Sequence, residues 1–441
     1  MTPRGLSGIV RSSLLVVSIC ATSTGATEGP EQIISDIRHR VQEQLIRSSN
    51  YACVETLQRK YFVSRLPKPR SCGAQTDVDL EEIVRDRLRL DMAVSKGREI
   101  FSWHGANEFS SDLISDVVAR GVISSGNFVG FLSNIFLVPE VHFAFRGHSH
   151  ESGRETLRFE YVVPQAISRY CIGGSKESAI VPFHGRFAVN KDTLELVDLT
   201  IIADKIPPVA ELCAAETGVR FQMVEISGHQ TLIPSRFELR TTNDASVHTV
   251  SRGDYTDCHE FKTESKLRFD LPEGETGEAL VKPEPTRVLR ERVDLPLVLA
   301  TPVNGSTAFA GDSVEARLTE PVTTPDGISL PPGAVLHGTI TQLELHSEKE
   351  ECWFLRVDFD RLVAGRNVYY IHAVHKRSAK DEQALKALYG GAEPPRSVVD
   401  EIDNGTMIIR GSRLHLDQRF AGEWETTARL DEKANQTREA R

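Results

Sequence analysis

No apolar run in this chain is long enough to cross a bilayer. The strongest, Leu14, Leu15, Val16 and Val17, falls well short of the about 20 residues a membrane-spanning helix needs, so none is expected in the mature chain. Clustered basic charge is lacking too. The 52 Lys and Arg are set among 62 Asp and Glu, for a formal net charge of -10, and runs such as KTESK at 262–266 and EKEE at 348–351 mix both signs. Nucleic acids are held by concentrated Lys and Arg, which argues against a nucleic-acid partner. Also missing are a G-x-S-x-G elbow, an S-x-x-K with its supporting motifs and a G-x-x-x-x-G-K-[ST] phosphate loop. No nucleophile or nucleotide site is legible, and the expectation is a non-enzyme without cofactor.

What is present begins with the N-terminus. Arg4 and Arg11, the short apolar run and then small residues up to Ala26 follow the order of a secretory leader, so residues 1–26 are read as a signal peptide. An exported, periplasmic or cell-envelope protein is expected. Cys20 raises the alternative of a lipid anchor, but bacterial lipoprotein leaders place a small residue just before the cysteine, and here it is Ile19. Cleavage near Ala26 is the reading preferred.

Outside the leader stand Cys53, Cys72, Cys171, Cys213, Cys258 and Cys352. Export lets them form disulfides, and six allow fifteen connectivities. Only Cys352 follows the linker described below, so either one bridge joins the two halves or each half keeps a free thiol. Cys53 with Cys72 is the local pair expected, because the polar stretch between them holds two prolines and could close.

A chain of 441 residues exceeds what one core usually serves, and two domains are expected. From Pro30, Ile34, Ile37, Val41 and Leu45 recur at helical spacing; from Tyr51 the period changes to two. Leu88, Leu90, Met92 and Val94 alternate with polar residues and return through Lys96-Gly97-Arg98 into Ile100 to Trp103. Two further hairpins are read: Val141 to Phe145 against Leu157 to Val163, across a polar loop from Gly147 to Gly153, and Phe187, Val189 against Leu194, Leu196. Short helices are expected around Asp112 to Val118 and Phe128 to Leu137. PEGETGE and KPEP mark residues 271–286 as a linker between a first domain over 30–270 and a β-rich second domain over 287–429. That second domain carries one helix between Ser378 and Tyr389, with final strands near Met407 and Leu414 returning to its sheet; residues 430–441 read as a polar, disordered tail.

One long amphipathic helix followed by antiparallel hairpins with two inserted helices resembles the LolA/LolB-like lipoprotein-carrier superfamily. The likeness is carried by RLRLDMAVSKGREIFSWHG at 87–105, GRFAVNKDTLELVDLTI at 185–201 and RGDYTDCHEFKTESKLRF at 252–269. It implies an α+β fold, mostly antiparallel β, with an N-terminal half-barrel curled around an apolar cavity and a helical lid over Phe128 to Leu137. Phe101, Trp103, Phe131, Phe136, Phe143, Phe159 and Tyr161 become the candidate cavity residues, although aromatics at strand spacing also serve as ordinary core. The second domain, expected as a small β-barrel or sandwich, faintly resembles TrbI-type envelope β-barrel domains through GDSVEARLTEPV at 311–322 and ISLPPGAVLHGTI at 328–340.

The residues closest to a metal-ligand pattern are His148, His150, Glu151 and Glu155, since two imidazoles and a carboxylate can hold zinc. Adjacency in sequence does not make them converge, and the preferred reading is a polar hairpin tip with no metal. His372 and His375, three apart on a strand, point to opposite faces. The function expected is an exported bacterial envelope protein that binds an acyl chain or a lipidated partner in the half-barrel, the second domain docking it to another envelope protein. The alternatives are an envelope scaffold with no small-molecule ligand and, more distantly, a zinc-dependent hydrolase.

Overall fold

A computed structural model describes residues 29–47, 50–64, 80–95, 98–106, 109–111, 113–118, 121, 128–151, 154–173, 178–261, 287–289, 292–392, 402 and 405–427. The expected signal peptide, linker and tail, and with them Cys20 and Cys72, lie outside the described residues. The chain is mostly antiparallel β with few helices, as its alternating patterns indicate.

In the first half the strands are β1 (Asn50–Ser64), β2 (Leu80–Ser95), β3 (Arg98–Trp103), β4 (His142–Glu151) and β5 (Arg154–Val163). They continue as β6 (Phe183–Asn190), β7 (Leu196–Ala203), β8 (Leu212–Ile226), β9 (His229–Asn243) and β10 (Val247–Glu260). Each pairs antiparallel with its neighbour in the chain, except that β3 and β4 do not meet; the sheet is joined instead by β1 against β10. The result is an open half-barrel whose unjoined edges are β3 and β4. Helix α1 (Pro30–Arg47) and helix α3 (Phe128–Phe136) pack on one face, and the short α2 (Ile114–Val117) follows β3.

Helix α1 forms on the period read from the sequence, and it buries Ile37 and Val41. These pack with Phe131, Leu132 and Ile135 of α3, and a polar contact joins the apolar ones. The Arg38 guanidinium donates to the carbonyls of Phe136, Val138 and Val141 at 3.1, 3.0 and 2.8 Å, satisfying acceptors that the end of α3 leaves open. Helix α3, apolar nearly all round, places its one buried amide on the loop beyond β5: Asn134 donates to Ile167 O and accepts from Arg169 N, each at 2.8 Å.

In the second half β11 (Asp294–Leu299), β12 (Ser313–Leu318), β13 (Val335–His346), β14 (Cys352–Ala364), β15 (Asn367–His375) and β16 (Ala421–Thr426) follow one another around a closed six-stranded barrel. The helix expected from Ser378 is α4 (Ala379–Leu388), with a capping box between Ser378 and Asp381. The strand Thr406–Arg410 pairs with the first part of β14, whereas His415–Leu416 pairs only with Val303–Asn304, off the main sheet. The expectation that both return to one sheet therefore holds for the first alone, and the chain turns between them at Gly411, whose φ of 114° favours glycine.

The two halves share hydrogen bonds and core. β2 pairs with β13 through Val84–Asp86 against Glu344–His346, and Leu88 bridges to Ala310. The outward arginines of β2 make the join: Arg87 donates to the carbonyls of Gly305 and Ala308 at 3.1 and 2.8 Å, Arg89 meets Asp312 at 2.6 Å, and both guanidinium groups lie over the Phe309 ring. Leu57, Leu88 and Phe237 of the half-barrel and Leu297, Leu336 and Trp424 of the barrel belong to one hydrophobic core.

One pairing differs from the sequence expectation. Cys53 is bonded to Cys258, not to Cys72. Both cysteines sit in the main sheet, where β1 and β10 run side by side, and the register slips between Ala52 and Val54 so that Cys53 faces the bulge containing Asp257 and Cys258. The two Cα atoms stand 4.1 Å apart, and a strand pairing 205 residues distant in sequence outcompetes the nearby loop. Cys213 is also disulfide-bonded, and Cys171, exposed, and Cys352, buried, are free thiols, one in each half.

Candidate binding site between the helices and the sheet

Two features mark the helix-covered face of the sheet. The first is the aromatic layer. Phe131, Phe136, Phe143, Phe159 and Tyr161 converge around Phe183 and Phe187: Phe159 stacks on Phe187 at 5.1 Å between centroids, Phe136 stacks on Phe143 at 5.8 Å, and Phe131 meets Phe183 edge-on at 5.9 Å. Edge-to-face and offset pairs of this kind each add about 0.5–1.5 kcal/mol beyond burial. Phe101 and Trp103 do not join them; they belong to the core shared with the barrel.

A glycine makes the layer possible. Tyr161 Oη reaches across the neighbouring strand to donate to Thr200 O at 2.9 Å, and a Cβ on Gly185 would stand 2.7 Å from that hydroxyl and closer still to Thr200 O. In the core shared with the barrel, Gly253 lies beneath the Phe237 ring, directly opposite it in register. Burial raises the Tyr161 hydroxyl well above its ordinary pKa and pushes Tyr170 up to about 12, against the pull of a Thr217 hydrogen bond, so both stay neutral donors.

The second feature is the seam where α1 and α3 meet the sheet. Val41, Leu45, Tyr51, Phe128, Leu132, Phe221 and Leu232 line a gap of about 30 Å³ together with Gln44, whose buried Oε1 has no hydrogen-bond partner. That volume suits one or two waters. None of the seven aromatics expected from the sequence lines it; Tyr51, Phe128 and Phe221 do. Their signal was present, as each lies at the correct strand or helix period, but nothing in the period marks the seam between a helix pair and a sheet.

Beside the seam, the half-barrel interior holds a carboxyl that sequence reading missed. Glu55 on β1 is 1 % exposed, directly opposite Tyr255, whose hydroxyl donates to Oε1 at 3.1 Å; Oε2 has no partner among the described residues. Burial pushes its pKa up to about 8 and the Tyr255 hydrogen bond pulls only partly back, so the group is a neutral acid at pH 7.

The histidine loop straightens. β4 and β5 extend to Glu151 and Arg154, so His148 and His150 stand on a strand, not at a loop tip. His148 lies edge-on to Phe145, and His150 lies 3.8 Å from Glu155, which Lys191 also engages. Among the described residues no three His, Cys, Asp or Glu side chains converge as metal ligands.

No family model matches the chain, and no curated protein matches it. Solved structures similar to the chain include the following two. One is a DUF1329 family protein from Desulfovibrio piger ATCC 29098, 12% identical, covering 54% of this chain and 95% of its own, with a TM-score of 0.26. The other is a putative outer membrane lipoprotein-sorting protein domain from Vibrio parahaemolyticus, 8% identical, covering 52% of this chain and 93% of its own, with a TM-score of 0.23.

Proposed function

We propose that this chain is a non-enzymatic envelope protein that takes an apolar guest, an acyl chain or the lipid of a lipidated partner, at the seam between α1, α3 and the sheet. The closed barrel, fixed to β2, serves as its docking unit. The observation that carries the reading is the seam itself: an apolar gap bounded by two helices, one held to the other through Arg38, with an unsatisfied Gln44 oxygen at its wall. An acyl chain needs a few hundred Å³, so the guest enters by displacing α1 from α3. The Cys53–Cys258 bond supports an oxidising compartment.

A second reading, an envelope scaffold without ligand, is favoured by one specific observation. The gap of about 30 Å³ leaves the helix-covered face of the half-barrel filled by its own side chains as it stands. The two readings separate in one experiment. Native mass spectrometry of gently extracted protein should show a co-purifying lipid, and a fluorescent fatty acid should bind wild type, bind Arg38→Ala more strongly, and be rejected by Val129→Phe, a substitution at a further residue lining the gap that fills it. No co-purified lipid and no uptake by any variant would establish the scaffold reading.

A further inference from the structure

The opposite face of the half-barrel, away from α1 and α3, carries a feature that neither reading uses. Strand alternation puts Arg158 of β5, Arg186 of β6, Asp198 of β7 and Arg220 of β8 on that face, at the wall of a groove of about 1060 Å³. Its hollow has a sequence cause. Ala188, Thr200 and Gly218 occupy the floor positions between the arginines, and their short side chains leave the space that the long ones rim.

Charge on this face is balanced at both sides and unbalanced in the middle. Towards β4, Arg146 pairs with Glu160 at 2.7 Å; towards β1, Arg236 pairs with Asp254 and Arg252 with Glu238, each at 2.6 Å. At the centre, three guanidinium groups act on the single half-buried Asp198. Among the described residues the side chains of Arg186 and Arg220 make no hydrogen bond or ion pair. On a chain of net charge -10, an anion is drawn only to such a local surplus.

We propose that this groove binds a phosphoryl group through Arg158, Arg186 and Arg220. Planar guanidinium forks grip phosphate oxygens two at a time, which a spread of lysines cannot do. The groove exceeds the size of a free phosphate, so it has room for a phosphoryl group carried on a larger body such as a lipid headgroup. This inference stands independently of the apolar seam.

The test uses the full exported chain and two probes: inorganic phosphate in solution, and vesicles of phosphatidylglycerol diluted in phosphatidylcholine. Binding is expected to weaken about tenfold or more in the Arg186→Ala, Arg220→Ala double variant, and to strengthen severalfold in Asp198→Asn, which removes the carboxylate on which the three arginines act. Arg252→Ala, already engaged with Glu238, is the control and should change affinity less than about twofold. Binding of inorganic phosphate supports the site with the free ion as sufficient ligand; binding on vesicles alone supports it with the headgroup as source. No binding of either probe, or unchanged affinity in both the double variant and Asp198→Asn, would overturn it. A variant that merely damaged the sheet would not bind more tightly, so Asp198→Asn keeps the test independent of folding.

Discussion

Arg59 and Asp86 face each other across β1 and β2, each side chain 2 % exposed, with the Arg59 Nε donating to both Asp86 oxygens at 2.9 and 3.0 Å. On its other side Asp86 stands opposite Glu344 of β13, whose carboxylate lies 2.9 Å from the His346 ring. Two acids and two bases therefore meet where the half-barrel joins the closed barrel. Burial works against every charge in this group, and the opposite charges work for them.

Removing one partner leaves Asp86 and Glu344 confronting each other in a dry interface. Arg59→Leu should destabilise the protein by about 3–5 kcal/mol in urea unfolding, and the Arg59→Leu, Asp86→Leu double variant should recover a large part of that loss. A single variant within about 1 kcal/mol of wild type would show that the junction does not depend on this pair.

Glu55 opposes folding over a defined pH window. Above its unfolded value of 4.5 the unfolded chain releases a proton that the folded chain keeps until about pH 8, so stability falls between those limits and levels off beyond. Glu55→Gln should match wild type near pH 4 and exceed it at pH 8 by about 2 kcal/mol or more. Thermal melts at the two pH values decide it; an equal difference at both would place the cause elsewhere.

His346 acts in the opposite sense to an ordinary buried imidazole. Burial alone would lower its pKa, but Glu344 and Glu348 carry it up to about 9. A folded value raised above 6.5 contributes stability that is whole below pH 6.5 and is lost as pH climbs through about 9. Melting profiles from pH 6 to 10 should therefore slope downward, and His346→Gln should flatten the alkaline part by about 2 kcal/mol. Wild type and variant running parallel throughout would contradict this.

The disulfide assignment is open to direct chemistry. Non-reduced peptide maps should join the peptides containing Cys53 and Cys258, Cys171 should alkylate in native protein, and Cys352, buried under α4, only after unfolding. Replacing both Cys53 and Cys258 by Ala should cost about 2–5 kcal/mol. Recovery of Cys53 linked to Cys72 would reject the pairing.

Much of the first half was legible because its strands alternate strongly. The hairpins at β2–β3, β4–β5 and β6–β7 follow the apolar residues that announce them, with Phe143 opposite Tyr161 and Phe145 opposite Phe159. β8 was not read. Its inward positions include Ala215 and Thr217, too weakly apolar to register as a buried face, although both are buried. Size and period mark the aromatics as inward-facing, while Glu55 and the Arg59–Asp86 pair escape because a charged residue in an alternating strand reads as solvent-facing.

Local pattern alone determined that this chain is β-rich, begins its sheet after one amphipathic helix, and presents rows of aromatics to an interior. Those features depend on contacts between residues a few positions apart, and period records them. The partner of Cys53, the six-strand closure, the burial of Asp86 between two strands from different halves and the arginine surplus around Asp198 were decided only by tertiary structure. Each comes from strands brought side by side in space, and antiparallel register, unlike period, is written in no single segment.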